Sequence, residues 1–287
     1  MKIGFYTTDK AEQKEVYGSR TADLAGLVKK DAAVFPVDLE GESFYGTYEE
    51  CLEFVTGKDR KEIKAVISIS DDPGKENWFL QKLSELAECP IVGGGAARNG
   101  GMAGDGLAAG RGQAALFVIT DSRVKATAET VNIHEHILET CHLELLDPRT
   151  IKTINGQDAA AFLKEKKEAH GFRENDFEHM TLSTPENINA HLSMVDGVVK
   201  SGRDLEETMI LRYVKTEEAH NKIVEFYQNA GEDSIVFGCA GLGSLLESRF
   251  DCNTLGTFLY GETCTTEKVR DFGNLMLSKI TFQVESK

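Results

Sequence analysis

Two stretches of this chain, far apart in sequence, repeat one pattern, and that pattern narrows what the chain can fold into. KAVISIS (64–70) leads into a helix-like segment, then PIVGGG (90–95), a loop and AALFVIT (114–120). SIVFGCAG (234–241) leads into a helix-like segment over 242–247, then LGTFLYGE (255–262), a loop and NLMLSKITF (274–282). Each half reads strand, helix, strand ending near glycine, loop, strand. Short β-branched apolar runs of this kind fit strands, and their alternation with amphipathic stretches is an α/β signal. The repeat predicts two pseudo-symmetric lobes whose glycine-bearing strand ends come together. A cleft between lobes is where ligands are commonly held.

Further strand-like runs fall at 3–6 and 33–37, and ENWFLQKLSEL (76–86) places Trp78, Phe79, Leu83 and Leu86 near one helical face. After Thr120 the texture changes to longer runs that predict antiparallel strands. Asp147 and Pro148 supply turn chemistry there, and hairpins are expected around Asp196-Gly197 and Ser201-Gly202. Helices are expected over 157–169 and 217–230, the second capped by Thr216 ahead of an acidic first turn. The expected fold is therefore α/β, with helices packed on mixed β-sheets, divided near residue 121 into lobes 1–121 and 122–287.

Composition closes several routes. With 32 basic against 47 acidic residues, a formal charge of −15 would repel a phosphate backbone, so nucleic acid is not an expected partner. No run approaches the ~18 apolar residues of a membrane helix, and the start turns polar too soon for a signal peptide. The six cysteines lie scattered without a CxxC pair, which argues against a disulfide framework or a zinc ribbon and for a reducing, cytoplasmic setting.

The segment 93–112 carries nine glycines in twenty residues. Such density lets backbone N–H groups approach a carboxylate or phosphate, and Arg98 and Arg111 would add charge; a flexible loop over a sheet edge is the plainer alternative. Gly104 to Ala109 satisfies GxGxx[GA], yet no strand leads into it, so it is not a dinucleotide fingerprint, and no P-loop occurs. Cys239 ends an apolar strand just before an expected helix start, where a helix dipole would favour thiolate, although a cysteine there is also a small buried hydrophobe. His134 and His136 would share one face of a strand, with His142 following, but the spacing is not that of HExxH, and hydrogen-bonded histidines explain it as well. No catalytic constellation, metal or cofactor is expected.

The C-terminal block, SIVFGCAGLGSLLE followed by LGTFLYGETCTTEKVRDFGNLMLSKITF, resembles the C-terminal FIST domain, a sensory module of bacterial signalling proteins and some F-box proteins. That pattern has an apolar strand ending in Ser/Gly-Cys and small residues, a "GFYTYGEI"-like strand, and an apolar strand beginning near an asparagine. Gly238-Cys239-Ala240-Gly241, Tyr260-Gly261-Glu262 and Asn274 occupy those places, and Gly93, Gly94, Gly95 and Ala96 resemble the GGGA segment of the N-terminal FIST domain. The resemblance covers about half the chain loosely and the C-terminal block closely. This chain departs from it where Leu242-Gly243-Ser244 stand in place of an arginine many relatives carry, where Thr263-Cys264 replace an isoleucine, and in a short N-terminal part, which suggests a short or divergent member.

The resemblance implies an intracellular sensor of a small ligand, an amino acid or related metabolite, which signals through a partner protein; it does not imply a reaction. The expected site brings Gly93, Gly94, Gly95, Ala96, Arg98 and Asn99 to face Cys239, Ala240, Gly241, Tyr260, Gly261, Glu262 and Asn274. Backbone N–H groups and Arg98 would hold a carboxylate there, and Glu262 would accept from an ammonium group. A cysteine enzyme acting through Cys239 and an interaction scaffold are the competing classes.

Overall fold

The apolar runs fold as strands buried on both faces, which is why they read as continuous and not as alternating. The computed structural model describes residues 5–7, 39–70, 75–95, 101–103, 112–174, 176–246, 254–259, 261–265 and 270–285. The first part of the chain holds β1 (Phe5–Thr7), β2 (Gly41–Thr47), α1 (Tyr48–Thr56), β3 (Ala65–Ser70), α2 (Glu76–Leu86), β4 (Ile91–Gly95), β5 (Gly101–Ala103), β6 (Gln113–Ile119) and β7 (Val124–Val131). The middle holds β8 (His136–Asp147), β9 (Thr150–Ile154), β10 (Gln157–Asp158), α3 (Ala159–Ala169), β11 (Met180–Ser183), β12 (Asn189–Ala190), β13 (Leu192–Val195), β14 (Val198–Ser201) and β15 (Thr208–Tyr213). The last part holds α4 (Thr216–Gln228), β16 (Ser234–Cys239), α5 (Ala240–Gly243), β17 (Leu255–Leu259), β18 (Glu262–Thr265), β19 (Arg270–Gly273) and β20 (Leu277–Val284).

The same strand path occurs twice. β3 runs parallel to β4 and antiparallel to β6, which pairs antiparallel with β2. β16 runs parallel to β17 and antiparallel to β20, which pairs antiparallel with β7. Residue 121 falls in the turn between β6 and β7, yet β18 and β19 come from beyond it to extend the first sheet, in the order β19-β18-β4-β3-β6-β2.

These two sheets lie face to face. Ile67, Ile69 and Phe117 of the first share one core with Ile235, Phe237, Ile280 and Phe282 of the second. The alternate residues, Val66, Leu116 and Val118, turn outward beneath Tyr48 and Val55 of α1 and Phe79 and Leu83 of α2. Val236 and Leu277 do the same beneath Ala219, Ile223 and Tyr227 of α4. The layers therefore run helices, sheet, sheet, helix. Each fully buried aromatic or branched side chain adds about 1.5–3 kcal/mol of transfer free energy.

The middle of the chain forms the antiparallel sheet that its change of texture predicts, in the order β12-β11-β15-β8-β9-β14-β13, with β10 beside β9. Phe162 and Leu163 of α3 pack on Met180, Leu182 and Leu211 from this sheet. Asp196 and Gly197, both at positive φ, make the turn between β13 and β14, the backbone that Asp-Gly favours in two-residue hairpins. Ser201-Gly202 ends β14 without starting a second hairpin.

Some boundaries differ from expectation. Thr216 is the first residue of α4 and not its cap: Lys215 holds the N-cap without a side-chain bond, ahead of Glu217 and Glu218 in the first turn. Asp158 caps α3 by accepting from the Ala161 N–H at 3.0 Å, so this helix starts after residue 157. The helix expected over 242–247 is instead the four-residue α5. The run 33–37 lies outside the described residues.

Phe237→Ala empties a wholly buried position between the sheets and should cost about 3–5 kcal/mol. Trp78, the single tryptophan, lies on α2 beyond the first sheet. Urea titration should show its fluorescence midpoint falling together with the far-UV circular dichroism midpoint; a Trp78 transition that stays in place would mean the sheets unfold independently.

Candidate functional site

The site is built where the chain leaves the second sheet for the first. Leu259 ends β17 in one sheet and Glu262 begins β18 in the other, and Gly261 makes the crossing at φ +82, a backbone conformation that glycine adopts without strain. The Gly95 N–H donates to the Gly261 carbonyl at 3.2 Å, and Glu262 pairs with Gly94 across the strands. The approach is so close that a Cβ on Gly94 would stand 2.1 Å from the Gly261 oxygen. Gly94 and Gly261, far apart in sequence, are thus in direct main-chain contact.

This junction buries a carboxyl group. Glu262 is 0% exposed; its Oε2 accepts from the Met276 N–H at 3.3 Å, and its Oε1 has no oxygen or nitrogen partner among the described residues. Burial drives this carboxyl well above the usual carboxylate range, and the Met276 N–H and the neighbouring Cys239 thiol, which favour the ion, do not offset that. Cys239 is buried at the end of β16. Burial and the Glu262 charge push its thiol up to about 12 against the opposing backbone bonds of Leu275, Gly241 and Gly261. Of the two readings open for Cys239, the buried hydrophobe is the one favoured over a thiolate: α5 has only four residues, and desolvation outweighs its dipole.

Residues 274–276 are held in place by a buried amide network. The Asn274 N–H donates to the Asn189 carbonyl at 2.9 Å, and Asn274 Oδ1 accepts from the His191 N–H at 3.3 Å. Asn189 Nδ2 donates to the Leu275 carbonyl at 3.2 Å and to Asn132 Oδ1 at 2.8 Å, while Asn132 Nδ2 donates to Asn189 Oδ1 at 2.7 Å. His134, wholly buried, accepts from Asn189 at Nδ1 and donates from Nε2 to the Glu178 carbonyl at 2.8 Å. These bonds fix Leu275 at φ 54, a position a bulky apolar residue avoids unless its surroundings over-determine it. That strained turn aims the Met276 N–H at Glu262.

Of the residues expected to form the site, the structure brings Gly94, Gly95, Cys239, Gly241, Gly261, Glu262 and Asn274 to this junction. Gly93 lies one step back on β4 against Ser68, and Ala240 is half-buried on α5. Ala96, Arg98, Asn99 and Tyr260 lie outside the described residues. The histidines go to separate partners: His134 joins the amide network, His136 bonds Glu218 at 2.7 Å, and His142 lies beside Thr208 on the neighbouring strand. Among the described residues no group of three or more His, Cys, Asp or Glu could hold a metal, and no helix is long and apolar enough to cross a membrane.

Beside Gly241 a polar cavity of about 500 Å³ opens between Glu178, His179, Ser244 and Leu245. Asn132, Asn189 and the strained Leu275 had no signal in the sequence that would single them out. Compared with known proteins, the chain matches no family model and no curated protein.

Burial holds the His134 pKa down to about 4 against an ordinary 6.5. The folded state thus resists a proton that the unfolded chain accepts, so the contribution of this group is complete above 6.5 and is lost as pH falls from there to about 4. The loss amounts to about 3 kcal/mol. Melting temperature should fall over this window, and His134→Gln should flatten the fall; an equal slope in the variant would count against it.

Proposed function

We propose that this chain is a ligand-binding sensory protein acting in the cytoplasm, which holds an amino acid or a related amine-bearing metabolite at the Gly94–Gly261–Glu262 junction and signals through a protein partner. The observation that carries this reading is the free Oε1 of Glu262, a wholly buried carboxyl oxygen with no nitrogen or oxygen partner among the described residues. An unsatisfied buried acceptor is a standing cost to the fold, and groups of this kind concentrate at functional sites. An ammonium group on a ligand is the natural complement: it would ionise the carboxyl and supply the missing donors.

The resemblance to FIST domains points the same way, since Cys239, Gly241, Gly261, Glu262 and Asn274 are the positions that carry it. Five described cysteines are free and buried, which suits a reducing compartment. A thiol pushed up to about 12 is a poor nucleophile at neutral pH, so catalysis through Cys239 is not supported.

Two readouts test this on one variant. Because the folded state raises the Glu262 pKa, its favourable contribution is present below the ordinary carboxylate range and is lost as pH rises towards the raised value. Glu262→Gln should therefore be at least as stable as the wild type at acid pH and increasingly more stable towards alkaline pH. In a thermal-shift panel of amino acids and amines, a ligand at 100 times its Kd adds roughly 2.7 kcal/mol to the wild type, and Glu262→Gln should lose that gain. A variant that is destabilised at every pH and still responds to the same compounds would refute the assignment.

A further inference from the structure

A second buried ionisable group lies on the same sheet face as Glu262, and nothing in the sequence marks it. Arg203, in the loop after β14, is 4% exposed. Its Nη2 donates to Asp271 Oδ2 at 2.5 Å, while Nε and Nη1 have no partner among the described residues. A guanidinium carries five N–H donors, so one carboxylate oxygen leaves most of this one unanswered away from water.

The register of β18 and β19 sets the two groups at opposite ends of one face. Glu262 lies opposite Gly273 and Cys264 opposite Asp271. Directly paired residues, and residues two apart on a strand, share a face. Glu262, Cys264 and Asp271 therefore line one face, with Arg203 seated at its far end on Asp271. Asn274 ties the two ends together. A Cβ on Gly202, just before Arg203, would stand 2.6 Å from Asn274 Oδ1, and a Cβ on Gly261, just before Glu262, would stand 2.7 Å from Asn274 Nδ2. One amide thus packs against the backbone that precedes each of the two groups.

We propose that Arg203 is the anion-holding residue of this site, taking a carboxylate on the ligand through its free Nε and Nη1 donors. Asp271 already offsets the guanidinium charge, so a singly charged carboxylate suits the pair better than a phosphate dianion. The proposal deepens the reading above by requiring an anionic group on the ligand as well as the ammonium group that Glu262 would receive. Arg98, expected from the sequence to hold a carboxylate, lies outside the described residues.

The test separates this proposal from the reading it rests on. Sodium acetate is titrated against matched sodium chloride, following the Arg203 Nε–H resonance, which is assigned by its loss in Arg203→Lys. A saturable shift specific to acetate is expected in the wild type and in Glu262→Gln alike; no acetate-specific shift overturns the proposal whether or not amines bind. In a second arm the twenty common L-amino acids are each compared with the matched decarboxylated amine. Charge-assisted bonds to the carboxylate should make the tightest-binding amino acid about tenfold or more tighter than its amine. That margin should vanish in the double variant Arg203→Met, Asp271→Asn, which leaves no unpaired charge behind. Equal binding of amine and amino acid to the wild type defeats the role of Arg203 while leaving Glu262 as the ammonium partner. An amino-acid margin that survives in the double variant, with only stability lowered, makes the Arg203–Asp271 pair structural and also overturns the proposal.

Discussion

The passage of the chain through Gly261 is the constraint on which the rest depends. Within three residues the backbone leaves the edge of one sheet and joins the other, and the left-handed glycine that allows this hands its carbonyl to Gly95 and its neighbour Glu262 to Gly94. A side chain at Gly94 would push β18 off the first sheet. Without that pairing β18 and β19 would have no partner strand there, Glu262 would turn towards solvent, and the Asp271 that holds Arg203 would lose its place. The repeated strand path supplies two stacked sheets; this crossing converts their adjacency into a site.

The two sides of the site obey different energetics. The Asn132–Asn189–His134 cluster satisfies its amide and imidazole groups with one another and with the backbone, and a completed buried network stiffens the elements it joins. Glu262 and Arg203 are the reverse: both are buried, and each keeps polar atoms without partners among the described residues. The core that Phe117, Phe237 and Phe282 share between the sheets provides the stability against which such costs can persist. A protein under selection for stability alone would replace both side chains by apolar groups of similar size.

Much of the frame was legible because burial on both faces writes itself into composition. The runs around Ile67, Phe117 and Phe237 have no polar alternation, and the matching order of strand, helix and glycine in the two halves corresponds to the same sheet path. The junction glycines were legible for a related reason, since only close backbone approach gives GGG and YGE a structural use. What could not be read is long-range and polar. β18 is the short, polar ETCT, and its place beside β4 depends on a partner far away in the chain. Asn132, Asn189 and Arg203 follow no periodicity, and their bonds reach across dozens of residues. Thr216 looked like a helix cap from its residue type alone, whereas the backbone gives that position to Lys215. For Cys239 the sequence showed a place at a helix start and left a buried hydrophobe and a thiolate both open; the burial that decides against ionisation depends on long-range packing.

The central claim is that Glu262 is a carboxyl kept neutral by burial until a ligand supplies the countercharge. Its protonation state is read directly from the side-chain carboxyl carbon in isotope-edited NMR at neutral pH. The account predicts a protonated signal in the free protein that converts to the ionised position when a stabilising amine-bearing ligand is added. A Glu262 that is already ionised without ligand, and unchanged by every compound that raises the melting temperature, would contradict it.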